Sequence, residues 1–143
     1  FFTQLKAGDA SLMTYYKLQD STYLNLAIFH LKRSVELNPE AARAHYLLAE
    51  ALEVRGELDE ALRHYEESIK HAANRSPYPY RSMGRIYFRQ GRYQEALSAF
   101  KEAIDIDPGA YVLWSEKGEV ELKAELYDDA IASFERSLLL NYN

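Results

Sequence analysis

Residues 80–108 read YRSMGRIYFRQGRYQEALSAFKEAIDIDP. Counted from Ala96, the residues at 0, +1, +4, +7 and +8 are Ala96, Leu97, Phe100, Ala103 and Ile104, which lie on one face of an α-helix. A second helical run precedes it through Tyr80, Met83, Gly84 and Tyr87, and Gln90-Gly91 divides the two. A glycine there suits the left-handed residue that ends a helix. The stretch therefore reads as two helices joined by a short turn.

The same pattern recurs outward in both directions. Ala27, Ala61, Ala96 and Ala130 are separated by 34, 35 and 34 residues. Four residues after each alanine stands Leu31, Tyr65, Phe100 or Phe134, and eight after stands Val35, Ile69, Ile104 or Leu138. Arg55-Gly56 splits the second copy as Gln90-Gly91 splits the third. Acidic residues open the second helices (Asp59-Glu60, Glu95, Asp128-Asp129), where they complement the N-terminal dipole. Asn38-Pro39, Ser76-Pro77 and Asp107-Pro108 each put a cap-type residue before a proline, a signal for the start of the next hairpin. No stretch alternates with period two for long enough to make a strand. The expected fold is all-α, an array of helical hairpins over 1–143 with repeats near 8–41, 42–76, 77–110 and 111–143 and a degenerate first copy.

Small residues have a packing role in such hairpins. Ala49, Gly84 and Gly118 stand mid-way along the first helices and Ala61, Ala96 and Ala130 early in the second, so the two helices can approach closely beside Tyr65, Phe100 and Phe134. One hairpin cannot bury its apolar face alone, whereas stacked neighbours can.

The residues that carry the pattern resemble the tetratricopeptide repeat, W-x2-L-G-x2-Y then A-x3-F then P. The third copy has Tyr80, Met83, Gly84, Tyr87, Ala96, Phe100 and Pro108 at those positions. The fourth has Trp114, Gly118, Ala130 and Phe134, with Lys117 and Glu121 where Leu and Tyr are expected. The second has His45, Leu48, Ala49, Leu52, Ala61 and Tyr65. The first matches through Ala27, Leu31, Ser34 and Pro39, and its first helix would place Thr14 and Tyr15 at the Leu-Gly positions. Tyrosine does not suit a position of close approach, so that helix is expected to pack unusually or to act as an N-terminal cap.

The resemblance implies a right-handed α-solenoid whose first helices line a concave groove that docks a partner protein or peptide. It places Arg43, Tyr46, Glu50 and Glu53 in the groove from the second repeat, and Tyr78, Arg81, Arg85 and Phe88, with Arg89 at the edge, from the third. Val112, Ser115, Glu119 and Leu122 follow from the fourth, and Leu12, Tyr16 and Gln19 from the first. Arg81 and Arg85 are one turn apart and can address one carboxylate, with Tyr46, Tyr78 and Phe88 as apolar anchors; the expected ligand is an acidic or C-terminal segment. The competing reading has Glu50 and Glu119 satisfy Arg85 internally. Some chaperone-binding members of the family hold a terminal carboxylate with a Lys, Asn and Arg clamp; Arg81 and Arg85 match its last pair, but Leu12, Tyr16 and Glu50 do not match the rest. Among the tyrosines, Tyr65, Tyr80, Tyr87, Tyr93 and Tyr127 occupy packing positions, which leaves Tyr16, Tyr46, Tyr78 and Tyr111 for a partner.

Bulk properties narrow the function classes. The formal net charge of -5 disfavours non-specific nucleic-acid binding and adhesion to an anionic membrane surface. No apolar run approaches the roughly 20 residues of a membrane helix. With no cysteine, thiolate chemistry and disulfides are excluded and the compartment is left open. His30, His45, His64 and His71 lack metal-ligand spacing, no serine sits in a nucleophile elbow and no phosphate loop is present, so no catalytic role, cofactor or metal is expected. The start at Phe1-Phe2 suggests a fragment, one that serves as the docking part of a larger enzyme in one reading. The apolar run at 138–143, with Phe1, Phe2 and Leu5 as a matching surface, gives another alternative: self-association through uncapped ends.

Overall fold

The computed structural model describes residues 1–142; Asn143, the last residue of the terminal run, lies outside the described residues. Among the described residues there are eight α-helices and no strand: α1 (Phe2–Leu18), α2 (Ser21–Leu37), α3 (Ala42–Arg55), α4 (Leu58–His71), α5 (Pro77–Arg89), α6 (Tyr93–Ile106), α7 (Tyr111–Lys123) and α8 (Tyr127–Asn141). They form two compact units, one of residues 1–74 and one from Arg75 onward. In the first, α1/α2 and α3/α4 are hairpins and α2 packs on α3; in the second, α5/α6 and α7/α8 are hairpins and α6 packs on α7.

The turn inside each later hairpin has one chemistry. Gly56 (φ 90°) and Gly91 (φ 72°) take the left-handed conformation, and the following amides close back on the helix, Glu57 N–H to Leu52 O and Arg92 N–H to Tyr87 O. The last hairpin makes the same closure, Leu126 N–H to Glu121 O, with Glu125 (φ 62°) in the left-handed position and no glycine. Side chains tolerate that region at a cost of about 1–2 kcal/mol.

The Asx-Pro and Ser-Pro signals divide into two kinds. Ser76-Pro77 starts α5, with the Ser76 hydroxyl accepting from Tyr78 N–H at 3.4 Å. Asn38 and Asp107 instead cap the C-termini of α2 and α6, and α3 and α7 begin only after Ala41 and Ala110. Proline there fills the second position of a turn closed by Ala41 N–H to Asn38 O and Ala110 N–H to Asp107 O.

Close approach is built as the small residues imply. A Cβ on Gly84 would lie 2.8 Å from the Phe100 ring, and one on Gly118 would lie 2.9 Å from Phe134. Ala96, Leu97, Phe100, Ala103, Ile104, Leu113 and Val120 make the core of the second unit, with Tyr80, Tyr87, Phe88, Tyr93 and Trp114 packed around it. Tyr65 is fully buried in the first unit, but Tyr127, expected as core, is exposed. It stands at the first position of α8.

The first hairpin departs from the expected register, and the reason is its length. The small residue is Gly8, not position 15: a Cβ on Gly8 would lie 2.6 Å from Leu31 Cγ. Gly8 precedes Leu31 by 23 residues, against 16 between Gly84 and Phe100. The seven extra residues are two turns of helix, shared between a longer α1 and a longer α2. Leu12, assigned to the groove in the expected register, is therefore core, at 2% exposure.

Candidate functional site

The residues assigned to a partner surface sit on the first helix of each hairpin, and the two units present different chemistry there. In the first unit Arg43 is exposed and reaches Asp9 on α1 at 2.8 Å. Asp9 follows Gly8 as Glu50 follows Ala49, so the corrected register puts it at the position of Glu50. Tyr46 is half-buried, its ring edge-on to Tyr65 at 5.7 Å and its hydroxyl donating to Glu50 at 3.3 Å. Tyr65 donates to Glu53 at 2.8 Å. Burial raises the Glu50 carboxyl, with Glu53 and Asp9 pushing the same way and the Tyr46 hydroxyl opposing. Burial together with Glu50 and Glu53 pushes the exposed Tyr16 phenol up to about 12 and the Tyr46 phenol higher still. This surface is acidic and phenolic.

In the second unit the arginines divide. Arg81 grips Glu116 on α7 as a fork, Nε at 2.7 Å and Nη2 at 2.8 Å from the two carboxylate oxygens. The carboxylate that answers Arg81 stands on the neighbouring first helix, three residues before Glu119. Arg85 is exposed, as are Arg89 and Glu119, while Ser115 is half-buried. Tyr78 is 63% exposed and Phe88 packs half-buried against the core, 6.1 Å from the Tyr93 ring. Tyr78, Arg81, Val112 and Leu113, with Pro77, Asp107 and Ala110, line a cleft of about 190 Å³ between α5 and α7. Sequence reasoning placed Tyr78, Arg81 and Val112 on one surface; the cleft joins them around an apolar floor.

Sequence reading missed the meeting of three histidines. His45 and His64 share a 2.9 Å bond between their Nδ1 atoms, and the His71 ring stacks on His45 at 6.3 Å. His45 Nε2 lies 2.8 Å from the Pro39 carbonyl, which only accepts, so Nε2 carries a proton. In the neutral pair His64 Nδ1–H then donates to His45. The missed signal was the repeat itself: His64 stands three residues after Ala61, as His30 does after Ala27, and His30 reaches Gln4 of α1 at 2.7 Å. Among the described residues no group of three or more His, Cys, Asp or Glu is arranged to hold a metal ion, and no helix is long and apolar enough to cross a membrane.

Two family models, both described as tetratricopeptide repeat, match residues 40–108 and 81–140. The chain belongs to the tetratricopeptide-repeat family. The TPR repeat-containing protein C19B12.01 of Schizosaccharomyces pombe is 29% identical over 135 residues, 94% of this chain but 15% of that protein. Anaphase-promoting complex subunit 3 of the same yeast is 26% identical over 140 residues, 89% of this chain and 20% of that protein. This tetratricopeptide-repeat chain thus spans no more than a fifth of either relative. The crystal structure of MamA superposes with a TM-score of 0.87 at 26% identity, covering 98% of this chain and 77% of that one.

Proposed function

We propose that this tetratricopeptide-repeat chain is a protein-interaction module that takes a partner's peptide segment on the exposed sides of its first helices. The observation that carries the reading is the α5–α7 cleft, where exposed Tyr78 and the stem of Arg81 flank an apolar floor formed with Val112 and Leu113. An aromatic beside an arginine over a small apolar pocket is the composition of a binding hot spot. Arg81 has its charge answered by Glu116, so it supplies shape and stacking, and the exposed Arg85 one turn on is the cation that would meet an acidic side chain. The partner segment is accordingly one with an apolar or aromatic anchor and a carboxylate within a few residues of it. Membership of a relative in a multi-subunit complex, as the name of anaphase-promoting complex subunit 3 states, supports a scaffold role over a catalytic one.

The test is a peptide-display selection on the immobilised chain, followed by titration of the selected peptides into variants. Peptides that pair an anchor with an acid, and lose roughly tenfold or more in affinity to Tyr78→Ala and to Arg85→Glu, support the reading. Peptides that bind both variants as tightly as the parent chain contradict it.

A further inference from the structure

The repeat shows which faces a neighbouring hairpin covers. On α2 and α6, which each pack on the next hairpin of their own unit, the residues one and eight after the repeat alanine point to that hairpin. On α6 these are Leu97 and Ile104, each 7% exposed and clustered with Leu113 and Val120 of α7. On α2 they are Ile28, buried, and Val35, half-buried, on the helix that packs on α3. On α8 they are Ile131 and Leu138, 57% and 55% exposed, with exposed Glu135 between them.

The complementary face is equally defined. The covering residues on α7, Leu113 and Val120, stand five before and two after Gly118; on α3 the same positions are the fully buried Ala44 and Ala51. Counted from Gly8, they fall on Thr3 and Ala10 of α1, which are exposed, as are Lys6 between them and Met13 one turn on. This register replaces Phe1 and Leu5, which are half-buried, as the matching surface.

We infer that the chain binds a second copy of itself head to tail, the α1 stripe Thr3, Lys6, Ala10 and Met13 of one copy lying on the α8 stripe Ile131, Glu135 and Leu138 of the next, as α7 lies on α6. Both stripes repeat at seven residues, two helical turns. The short turn from α6 to α7 makes those helices antiparallel, so Thr3 meets Leu138 and Ala10 meets Ile131. That places Lys6 opposite Glu135, and the charges are complementary. Phe2 then falls beside Leu138, at a concavity of about 400 Å³ lined by Glu135, Leu138, Leu139 and Tyr142. Because the two faces differ, the contact is heterologous and one copy can engage two neighbours.

Sedimentation velocity over a wide concentration range tests this, with helicity by circular dichroism to show that each variant is folded. The parent chain gains mass with concentration. Ala10→Arg and Leu138→Arg each remain monomeric alone, and their mixture forms a one-to-one dimer and grows no further, since each brings one intact face. Lys6→Glu weakens association roughly tenfold and the Lys6→Glu/Glu135→Lys pair restores it. A parent chain that stays monomeric throughout overturns the inference and assigns the α8 stripe to a different helix. A mixture of the two arginine variants that stays monomeric overturns it as well.

Discussion

The His45–His64 bond makes a prediction at the scale of one proton. Burial, then the neighbouring His45, lowers the His64 pKa below its ordinary value of 6.5, with Lys32 and Arg63 acting the same way and Glu60 opposing. A histidine whose folded pKa is depressed binds fewer protons folded than unfolded, so stability is full above the unfolded value and is lost as pH falls through 6.5 toward the lowered one. Urea unfolding from pH 8 to pH 5 should show that loss, and His64→Gln should flatten it; equal slopes would show that the pair does not set it. The two arginines make a second prediction at this scale. Arg81→Ala leaves Glu116, with a side chain only 20% exposed, without its fork, and should lower stability by about 1 kcal/mol. Arg85→Ala, at an exposed position, should leave thermal unfolding unchanged while weakening peptide binding. If Arg85→Ala costs the more stability, the division of roles between them is wrong.

At the scale of the helical hairpin, the fourth repeat shows how a departure from the family pattern is compensated. Lys117 and Glu121 replace an apolar residue and a tyrosine, and they are ion-paired and almost fully buried. Ser133, on α8, accepts from Lys117 at 3.1 Å and donates to Glu121 at 2.6 Å. The equivalents in the third repeat are Met83, Tyr87 and Ala99, an apolar set of the same register. Removing one partner of a buried pair strands the other, at a cost of about 3–5 kcal/mol. Lys117→Met alone should therefore destabilise strongly by denaturant unfolding. The triple Lys117→Met/Glu121→Tyr/Ser133→Ala should recover most of that loss, because the set it imports already packs one repeat earlier. A triple variant no more stable than the single would contradict the exchange. The hairpins themselves were legible because a 34-residue period forces equivalent residues into equivalent places. The polar cross-links at His30, His64 and Ser133 were not, because each meets a different partner on the first helix (Gln4, His45, and Lys117 with Glu121) and no single motif repeats. The first hairpin was misplaced for a related reason: two extra turns shift Gly8 away from the position that the period marks, while Ala27 and Leu31 stay on it.

For the molecule as a whole, the period was enough to point to an all-α array of helical hairpins. What the surface prefers was less accessible, since whether an arginine is spent internally depends on a carboxylate 35 residues away, as Glu116 is from Arg81. The structure separates an acidic, phenolic face in the first unit from a second-unit face with a cleft and an exposed arginine. Docking of a partner on the first helices is the proposal on which the rest depends. It is tested most directly by backbone and side-chain NMR shifts of the chain on titration with a selected peptide. Docking there should give perturbations concentrated on α5 and α7, around Tyr78, Arg85 and Val112, that disappear in Tyr78→Ala. Perturbations confined to the second helices α6 and α8, with Tyr78 and Arg85 unmoved at saturation, would contradict it.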